Sequence, residues 1–231
     1  MYTFFSRLLD LLSPRLCAIC GNRLAISEQV ICTGCNFDLP RTPFGRMPYD
    51  NEMARLLWGQ FTVERVSALF FYTPKSPASH VILKMKYKNH PEIGVFLGRM
   101  TARELAQKGF FDGIDMIVPV PLAPKRRRER GYNQSEEIAR GVSEVTHLPV
   151  RTDIIARKSF HGSQTHLEKW ERRENVADAF ILTGGAAASG KHILLIDDVM
   201  TTGATIIACG RELAKAGDVH ISVLTMGFTK S

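Results

Sequence analysis

The sequence predicts an α/β fold in which helices cover both faces of a mostly parallel, doubly wound sheet, with a small cysteine-bearing module ahead of it. Two observations support this prediction. Short apolar runs typical of buried strands alternate with segments of helical periodicity, and four of the five cysteines lie in one short N-terminal stretch. A chain of 231 residues, 45% of them hydrophobic, can bury the core of one medium domain with a small appendage.

The strand and helix segments follow one another along the chain. Runs of β-branched, aromatic and aliphatic residues predict strands at 63–72, 114–120, 150–156, 192–196 and 219–226. Apolar residues at helical spacing predict helices at 77–87, 91–108, 135–145 and 205–216. We expect Ser135 to cap the third of these helices and Gly217 to end the fourth. Because strands joined through a helix usually pair in parallel, the alternation indicates a parallel sheet.

A domain boundary is predicted near residue 48, after a stretch rich in proline, glycine and arginine. Residues 1–48 would form an amphipathic lead and a cysteine module, and residues 49–231 the sheet domain. The apolar residues of the lead are interrupted by Arg7 and Asp10, which predicts a short helix docked on the body, with a signal peptide as the weaker alternative. No run of eighteen apolar residues exists, so we expect no stable membrane insertion.

The chain is basic, with a formal net charge of +7 and a pI near 9.3. Such an excess of positive charge favours polyanionic ligands, which include nucleic acid, phosphate-rich metabolites and anionic membrane surfaces. A solvated basic surface without a ligand is an equally good interpretation. Charge alone therefore does not choose among these classes.

The cysteine cluster has the spacing of two metal-binding knuckles. Cys17 and Cys20 form one CxxC pair, and Cys32 and Cys35 form a second pair after a short spacer. Two such pairs supply the four thiolates that structural zinc prefers, and they leave no open coordination position for catalysis. Two disulfides are the alternative, but they need an oxidising compartment, for which the sequence shows no targeting signal. We therefore expect a structural zinc ion and a cytoplasmic location.

The segment 193–205 has the chemistry of a sugar-phosphate site. Asp197 and Asp198 follow the most apolar strand, at the edge where parallel sheets bind ligands. The next helix begins within Thr-Thr-Gly-x-Thr, where hydroxyls, the helix N-terminus and the small Gly203 suit a phosphate. The carboxylates suit sugar hydroxyls or a hydrated magnesium ion. A threonine-capped helix beside a turn aspartate is the alternative, but it does not explain two successive carboxylates beside this loop.

This segment resembles the phosphoribosyl pyrophosphate loop of type I phosphoribosyltransferases, which has four apolar residues, two acids, a variable pair and a threonine–glycine loop. The resemblance implies a type I phosphoribosyltransferase-like fold. It also implies that Asp197 and Asp198 act in catalysis by engaging the ribose 2′- and 3′-hydroxyls of magnesium-bound phosphoribosyl pyrophosphate. The implied 5′-phosphate site consists of the residues that follow: Val199, Met200, Thr201, Thr202, Gly203, Ala204 and Thr205.

A second strand, at 114–120, leads into a basic loop at 121–134. Taken alone, such an arginine run would be a surface feature that serves nucleic acid or nothing specific. In the type I family the loop after this strand carries the pyrophosphate. That resemblance implies pyrophosphate binding by Pro121, Leu122, Lys125, Arg126 and Arg130. Because like charges this close repel, we expect only a minority of the arginines to face the site, and the others to form an outer surface available to nucleic acid.

The four-cysteine motif, the Val-Pro-Val-Pro strand and the Arg-Gly-Tyr-Asn-Gln sequence together resemble the ComF family over nearly the whole chain. The resemblance implies a small hood near 60–90, with a lysine-bearing segment at 83–88, and a flexible loop at 157–180. Arg172 and Arg173 of that loop are implied catalytic residues that stabilise the departing pyrophosphate. His161 departs from the family, which usually has threonine at this place.

The resemblance also implies what the protein does. A 5-phosphoribosyl group would pass to an unknown acceptor, pyrophosphate would leave, and the protein would serve competence and DNA uptake with single-stranded DNA and a helicase as partners. Two alternatives stay open. The chain could bind the ligand as a regulator without turnover, or its main ligand could be single-stranded DNA. The sequence predicts neither the acceptor nor the oligomeric state.

Overall fold

The fold is built on a parallel sheet, as the sequence predicts, and this sheet has four strands. The structure is a computed structural model that describes residues 14–87, 89–158 and 179–230. The strands of this sheet, in the order β1-β6-β5-β2, are β1 (Val63–Phe71), β6 (His220–Phe228), β5 (His192–Met200) and β2 (Met116–Pro119). A smaller antiparallel sheet pairs β3 (Ile155–Arg157) with β4 (Phe180–Leu182). The order places β5 inside the main sheet, between β6 and β2, and beyond Ile196 its carboxyl end pairs with β6 alone.

Helices pack on both faces of the main sheet. Their bounds are α1 (Thr33–Phe37), α2 (Glu52–Leu57), α3 (Ser79–Tyr87), α4 (Pro91–Ala106), α5 (Pro124–Arg130), α6 (Gln134–Thr146), α7 (Gly185–Ala188) and α8 (Ala204–Ala214), with a 3₁₀ turn at Phe44–Arg46. Side chains of a strand alternate between faces. Leu194 and Ile196 accordingly pack in the cluster that contains α4 and α6, whereas Ile193 and Leu195 pack with α2 and α8. The doubly wound arrangement is confirmed.

Most predicted elements have their structural counterparts, and the differences lie mainly at ends. The predicted strand at 150–156 is wrong over most of its length, because only Val150 bridges Ile117 beside β2 before the chain turns away into β3. The predicted strand at 192–196 is too short. Its pairing with β6 continues to Met200, so the two acids lie within the strand rather than after it.

Two further predictions need correction. Ser135 does not cap α6. Asn133 does, since its side chain accepts a hydrogen bond from the Ser135 amide, 3.1 Å away, and donates one to the Val120 carbonyl, 2.9 Å away. The basic stretch predicted as a loop contains a helix, α5, which begins with Pro124 and ends at Gly131 in the left-handed conformation. Both residues favour those helix positions, which explains why the stretch folds locally.

The structure divides the predicted hood at 60–90 between the main sheet and the segment around α3. Residues 63–71 are the edge strand β1 of the main sheet, so only the part around α3 lies outside it. Of the predicted flexible loop at 157–180, the two ends are paired as β3 and β4, and the stretch 159–178 lies outside the described residues.

Two glycines let α4 and α6 cross at close range. A Cβ atom on Gly98 would lie 2.2 Å from the Ile138 carbonyl oxygen, and one on Gly141 would lie 2.0 Å from the Val95 carbonyl oxygen. Each glycine therefore faces the backbone of the other helix, where a side chain cannot fit. This crossing fixes α6, whose first turn lies next to the carboxyl end of β5.

The cysteine module packs into the same core as the sheet domain. Cys17, Ile19 and Leu24 belong to the buried cluster that also contains residues of α3 and α4. Lys84 of α3 donates to the Cys17 carbonyl over 3.2 Å, and the Arg41 guanidinium lies 2.9 Å from a carboxylate oxygen on α4. The predicted boundary near residue 48 stays a prediction.

The amphipathic lead at 1–12 lies outside the described residues, and its docking on the body also stays a prediction. Among the described helices, none combines the length and apolarity that crossing a bilayer requires.

Candidate functional site

Two carboxylates lie at the carboxyl end of β5, where the sheet brings the site together. Asp197 Oδ1 accepts a hydrogen bond from the Ser135 hydroxyl at 3.0 Å and from the Asp198 amide at 2.8 Å. Burial, followed by repulsion from the Asp198 carboxylate, raises the pKa of Asp197 to about 7 against the lowering effect of these hydrogen bonds. The pair therefore carries a charge that changes near neutral pH.

The second carboxylate is already paired in the free protein. Lys86 Nζ lies 2.9 Å from Asp198 Oδ1, and the two side chains are 22% and 13% exposed. Lys86 belongs to the last turn of α3. The residues predicted for the site did not include it, because nothing local in the sequence brings α3 to the end of β5. The family resemblance, which marks a lysine-bearing segment at 83–88, was the available signal.

The loop after β5 encloses a small cavity at the N-terminus of α8. The cavity has a volume of about 50 Å³ and is lined by Asp197, Val199, Met200, Thr201, Thr202, Gly203, Ala204, Thr205 and Ile206. Gly203 caps the helix with φ at +80°, a conformation that favours glycine. All seven residues predicted for the 5′-phosphate thus line one cavity, where the eleven-residue α8 directs its positive dipole end.

A second, basic cavity of about 510 Å³ lies between α5 and the end of α3. Its lining includes Lys86, Tyr87, Asn89, Arg126, Glu129 and Arg130. The Arg130 guanidinium lies 5.1 Å from the centroid of the Tyr87 ring and donates to Gln134 at 2.7 Å. Three cations and one carboxylate line this space, which suits a strongly anionic group.

The arginines of α5 point in different directions. Arg126 and Arg130 line the basic cavity, whereas Arg127 forms an ion pair of 3.0 Å with Glu136 on α6. Lys125 and Arg128 are exposed. Of the residues predicted for pyrophosphate, Pro121 and Leu122 are half-buried directly after β2. The structure therefore places part of the predicted set, and not Lys125, in the lining of the cavity.

Arg157 at the end of β3 is a further basic residue beside the site. Its guanidinium lies 5.1 Å from the centroid of the Phe180 ring. Burial lowers the pKa of Arg157, and repulsion from Arg126 lowers it further, whereas Asp197 acts in the opposite sense. Arg157 is therefore coupled electrostatically to Asp197 of the acid pair and to Arg126 of the basic cavity. Arg172, Arg173 and His161 lie outside the described residues.

The four predicted ligands of the cysteine module come together. The sulfur atoms of Cys17, Cys20, Cys32 and Cys35 lie within 4.8 Å of one another. Burial acts to raise the pKa of the Cys17 thiol, but hydrogen bonds from nearby backbone amides, including that of Cys32, outweigh it. They lower the pKa to about 6 and so stabilise the thiolate. This cluster can hold one metal ion.

Comparison with known proteins agrees with this geometry. The DNA utilization protein YhgH of Escherichia coli (strain K12) is 28% identical over 220 residues, which are 91% of this chain and 95% of that protein. Competence protein F of Haemophilus influenzae is 26% identical over 217 residues, 90% and 94% of the two chains. Competence protein ComFC of Bacillus subtilis is 28% identical over 146 residues, 63% and 57% of the two chains.

The phosphoribosyl transferase domain matches residues 87–225, more than half of the chain. The chain belongs to the phosphoribosyl transferase domain family, in its ComF branch. The acid pair and the segment 199–205 lie at the carboxyl end of a central strand. This edge is where parallel α/β sheets generally bind ligands. The match begins at residue 87, so it leaves out both the cysteine module and Lys86.

Proposed function

We propose that this protein binds magnesium–phosphoribosyl pyrophosphate and transfers its 5-phosphoribosyl group to an acceptor. One observation carries the proposal. The acid pair and the cavity of the Gly203 loop are adjacent at the carboxyl end of β5, and Lys86, which pairs with Asp198, also lines the basic cavity. This arrangement offers acceptors for sugar hydroxyls between two places that suit anions.

Each group of residues has a distinct role in this proposal. Asp197 and Asp198 accept hydrogen bonds from the ribose 2′- and 3′-hydroxyls, and the loop at 199–205 with the N-terminus of α8 binds the 5′-phosphate. Arg126 and Arg130 bind the pyrophosphate group. Pro121 and Leu122 shape the turn that leads to them. Magnesium, when bound, neutralises part of the pyrophosphate charge, and the acid pair is the oxygen-donor set that can hold its hydrated ion.

The reaction breaks the bond between C1 of the ribose and the pyrophosphate oxygen. The electron pair leaves with pyrophosphate, and a nucleophile on the acceptor forms the new bond to C1. The cationic side chains stabilise the charge that develops on the leaving group. We include Arg172 and Arg173 as further catalytic residues on the strength of the family resemblance, and Arg157 as a described neighbour of the same site.

We also propose that the cysteine cluster holds structural zinc. Four thiolates at roughly 2.3 Å from one tetrahedral ion would lie about 3.8 Å apart. The Cys20 and Cys32 sulfur atoms are 3.8 Å apart. The cytosol keeps thiols reduced and so available to a metal ion, which supports a cytoplasmic location for this protein.

A role in DNA uptake is the second part of the proposal. The relatives are named for competence and DNA utilization. Arg128 and Lys125 are exposed on α5, away from the lining of the basic cavity, and could contact the phosphates of single-stranded DNA. A helicase partner belongs to this proposal through the family resemblance alone.

Binding can be tested by calorimetry with magnesium–phosphoribosyl pyrophosphate. Asp198→Ala and Asp197→Ala should each bind about tenfold to a hundredfold more weakly, because each loses hydrogen bonds made by a charged group. Asp153→Ala is the matched control, since this exposed carboxylate pairs with Arg151 in a turn. Unchanged affinity in both site variants would refute the proposed sugar site.

Turnover separates the enzyme from a ligand-binding regulator. Release of pyrophosphate should be measured across nitrogen acceptors, including nucleobases and ammonia, at saturating ligand. Release that depends on an acceptor and is lost in Asp198→Ala supports the enzyme. Tight binding without any release supports the regulator.

A further inference from the structure

Lys86 stands at the junction of the two parts of the site. Its ammonium group is 2.9 Å from Asp198 Oδ1, and the same side chain lines the basic cavity with Arg126 and Arg130. In the free protein its charge is therefore paired with the carboxylate that the proposed function assigns to the ribose. The sugar and the lysine compete for this carboxylate.

We propose that Lys86 is an exchange residue, which pairs with Asp198 in the free protein and binds the pyrophosphate group once the ribose hydroxyls engage that carboxylate. The inference rests on the proposed function and adds a residue to it. Pyrophosphate carries several negative charges, whereas Asp198 carries one. Since the Coulomb energy grows with the charge of the partner, a lysine within reach of both favours pyrophosphate when it is present.

The surroundings of Lys86 allow its side chain to move while its backbone stays in place. The Tyr132 hydroxyl donates to the Met85 carbonyl, which anchors the last turn of α3 to the segment after α5. A lysine carries its charge on four rotatable methylene groups, so the ammonium can change partner without movement of the helix. Lys86 also remains 22% exposed, and the cavity beside it has a volume of about 510 Å³.

An exchange has a signature that a purely structural lysine lacks. Ribose 5-phosphate presents the hydroxyls without pyrophosphate, so it must displace Lys86 without offering a new partner. Pyrophosphate that is supplied by itself gains Lys86 as a binding partner. Removing the charge should therefore change the two affinities differently, whereas a loss of local structure would weaken both.

The test compares Lys86→Met with the wild type by calorimetry, with ribose 5-phosphate and inorganic pyrophosphate as separate probes and with thermal midpoints recorded. We expect pyrophosphate to bind about tenfold more weakly to the variant, which loses one charge-assisted contact. Ribose 5-phosphate should bind as tightly as to the wild type or more tightly. Lys191→Met is the control for net charge, because Lys191 pairs with Asp115 at the opposite end of β5.

The outcomes separate this inference from the proposed function. Equal weakening of both probes, or unchanged pyrophosphate affinity, overturns the exchange while leaving the sugar-phosphate site intact. If the wild type binds neither ribose 5-phosphate nor pyrophosphate, the proposed function and the exchange are both overturned. Weaker pyrophosphate binding with retained ribose 5-phosphate binding supports the exchange.

Discussion

At the scale of single residues, the surroundings of Asp197 disfavour the charged form of its carboxyl group. The carboxylate is partly buried beside a second acid, and its pKa is raised to about 7. A raised carboxylate pKa means that ionisation costs more in the folded than in the unfolded chain. Binding sites often hold such unfavourable groups because the ligand, rather than the fold, compensates for them.

Asp197→Asn should therefore stabilise the free protein at high pH. Above about pH 4 the unfolded chain loses the proton first, so the wild type loses stability as pH rises to about 7 and then levels off. Asparagine keeps the hydrogen-bond acceptor but no charge. We expect a gain of up to about 4 kcal/mol at pH 8, the free energy that corresponds to raising this pKa from 3.8 to about 7, and no gain near pH 4. Denaturant unfolding at both pH values measures it, and an equal effect at both would contradict the assignment.

Gly203 combines a conformational and a spatial requirement. Its φ is +80°, and a Cβ atom would lie 2.9 Å from the Met200 methyl carbon. Gly203→Ala should lose about 1 kcal/mol of stability through its backbone, and it should also weaken binding of phosphoribosyl pyrophosphate. Gly190→Ala is the matched control, because its φ is +67° and its added Cβ meets nothing within 4 Å. Gly190→Ala should lose a similar amount of stability but bind phosphoribosyl pyrophosphate as tightly as the wild type. Equal affinity of the two variants for this ligand would exclude Gly203 from the phosphate site.

At the scale of elements, local signals predict what an element is better than where it ends. The helices at 77–87 and 91–108 and the central strand follow from apolar periodicity, which depends on neighbouring residues. Helix α5 was predicted as a loop, although Pro124 and Gly131 mark its two ends. The cap of α6 was assigned to Ser135 because serine is a good cap. In the structure its hydroxyl instead contacts Asp197, a partner that local sequence cannot reveal.

The crossing of α4 and α6 gives a prediction at this scale. Gly98→Ala and Gly141→Ala should each destabilise the protein by about 2 kcal/mol or more, since the new methyl group would overlap backbone that cannot move aside. Gly185→Ala in α7 is the control, because its nearest neighbour is the flexible end of Leu182 at 3.2 Å. Thermal unfolding measures all three variants. A small effect at both crossing positions would show that the helices can separate without cost.

At the scale of the whole molecule, the sequence predicts the parts of the site but not their assembly. The acid pair and its phosphate loop are contiguous, so one motif describes them. Lys86 and Ser135 come from the helices α3 and α6, and tertiary packing, which local sequence does not reveal, brings both to the carboxyl end of β5. The cysteine spacing likewise predicts a metal site, but not the shared core between the module and α3.

That shared core determines how loss of the metal should affect stability. Cys17 and Ile19 are buried with residues of α3 and α4, so a disordered module would expose part of the main core. Cys32→Ser should lower the midpoint of a single unfolding transition of the whole chain. Elemental analysis should show the loss of zinc, and a chelator should destabilise the wild type but have no further effect on the variant. Two transitions, with the sheet domain unaffected, would show instead that the module is independent.

The pairing of β1 with β6 has a consequence for the order in which the protein acquires its structure during synthesis. Val63 of β1 pairs with Ile221, and Phe71 pairs with Phe228. During synthesis β1 therefore cannot pair until β6, which lies far along the chain, has been made. Contacts of such long sequence separation form slowly. While the ribosome makes the intervening residues, the nascent β1 presents an unpaired edge rich in apolar side chains, which invites association with other chains. Translation therefore exposes this strand longest, and we expect chaperones that bind nascent chains to recognise it.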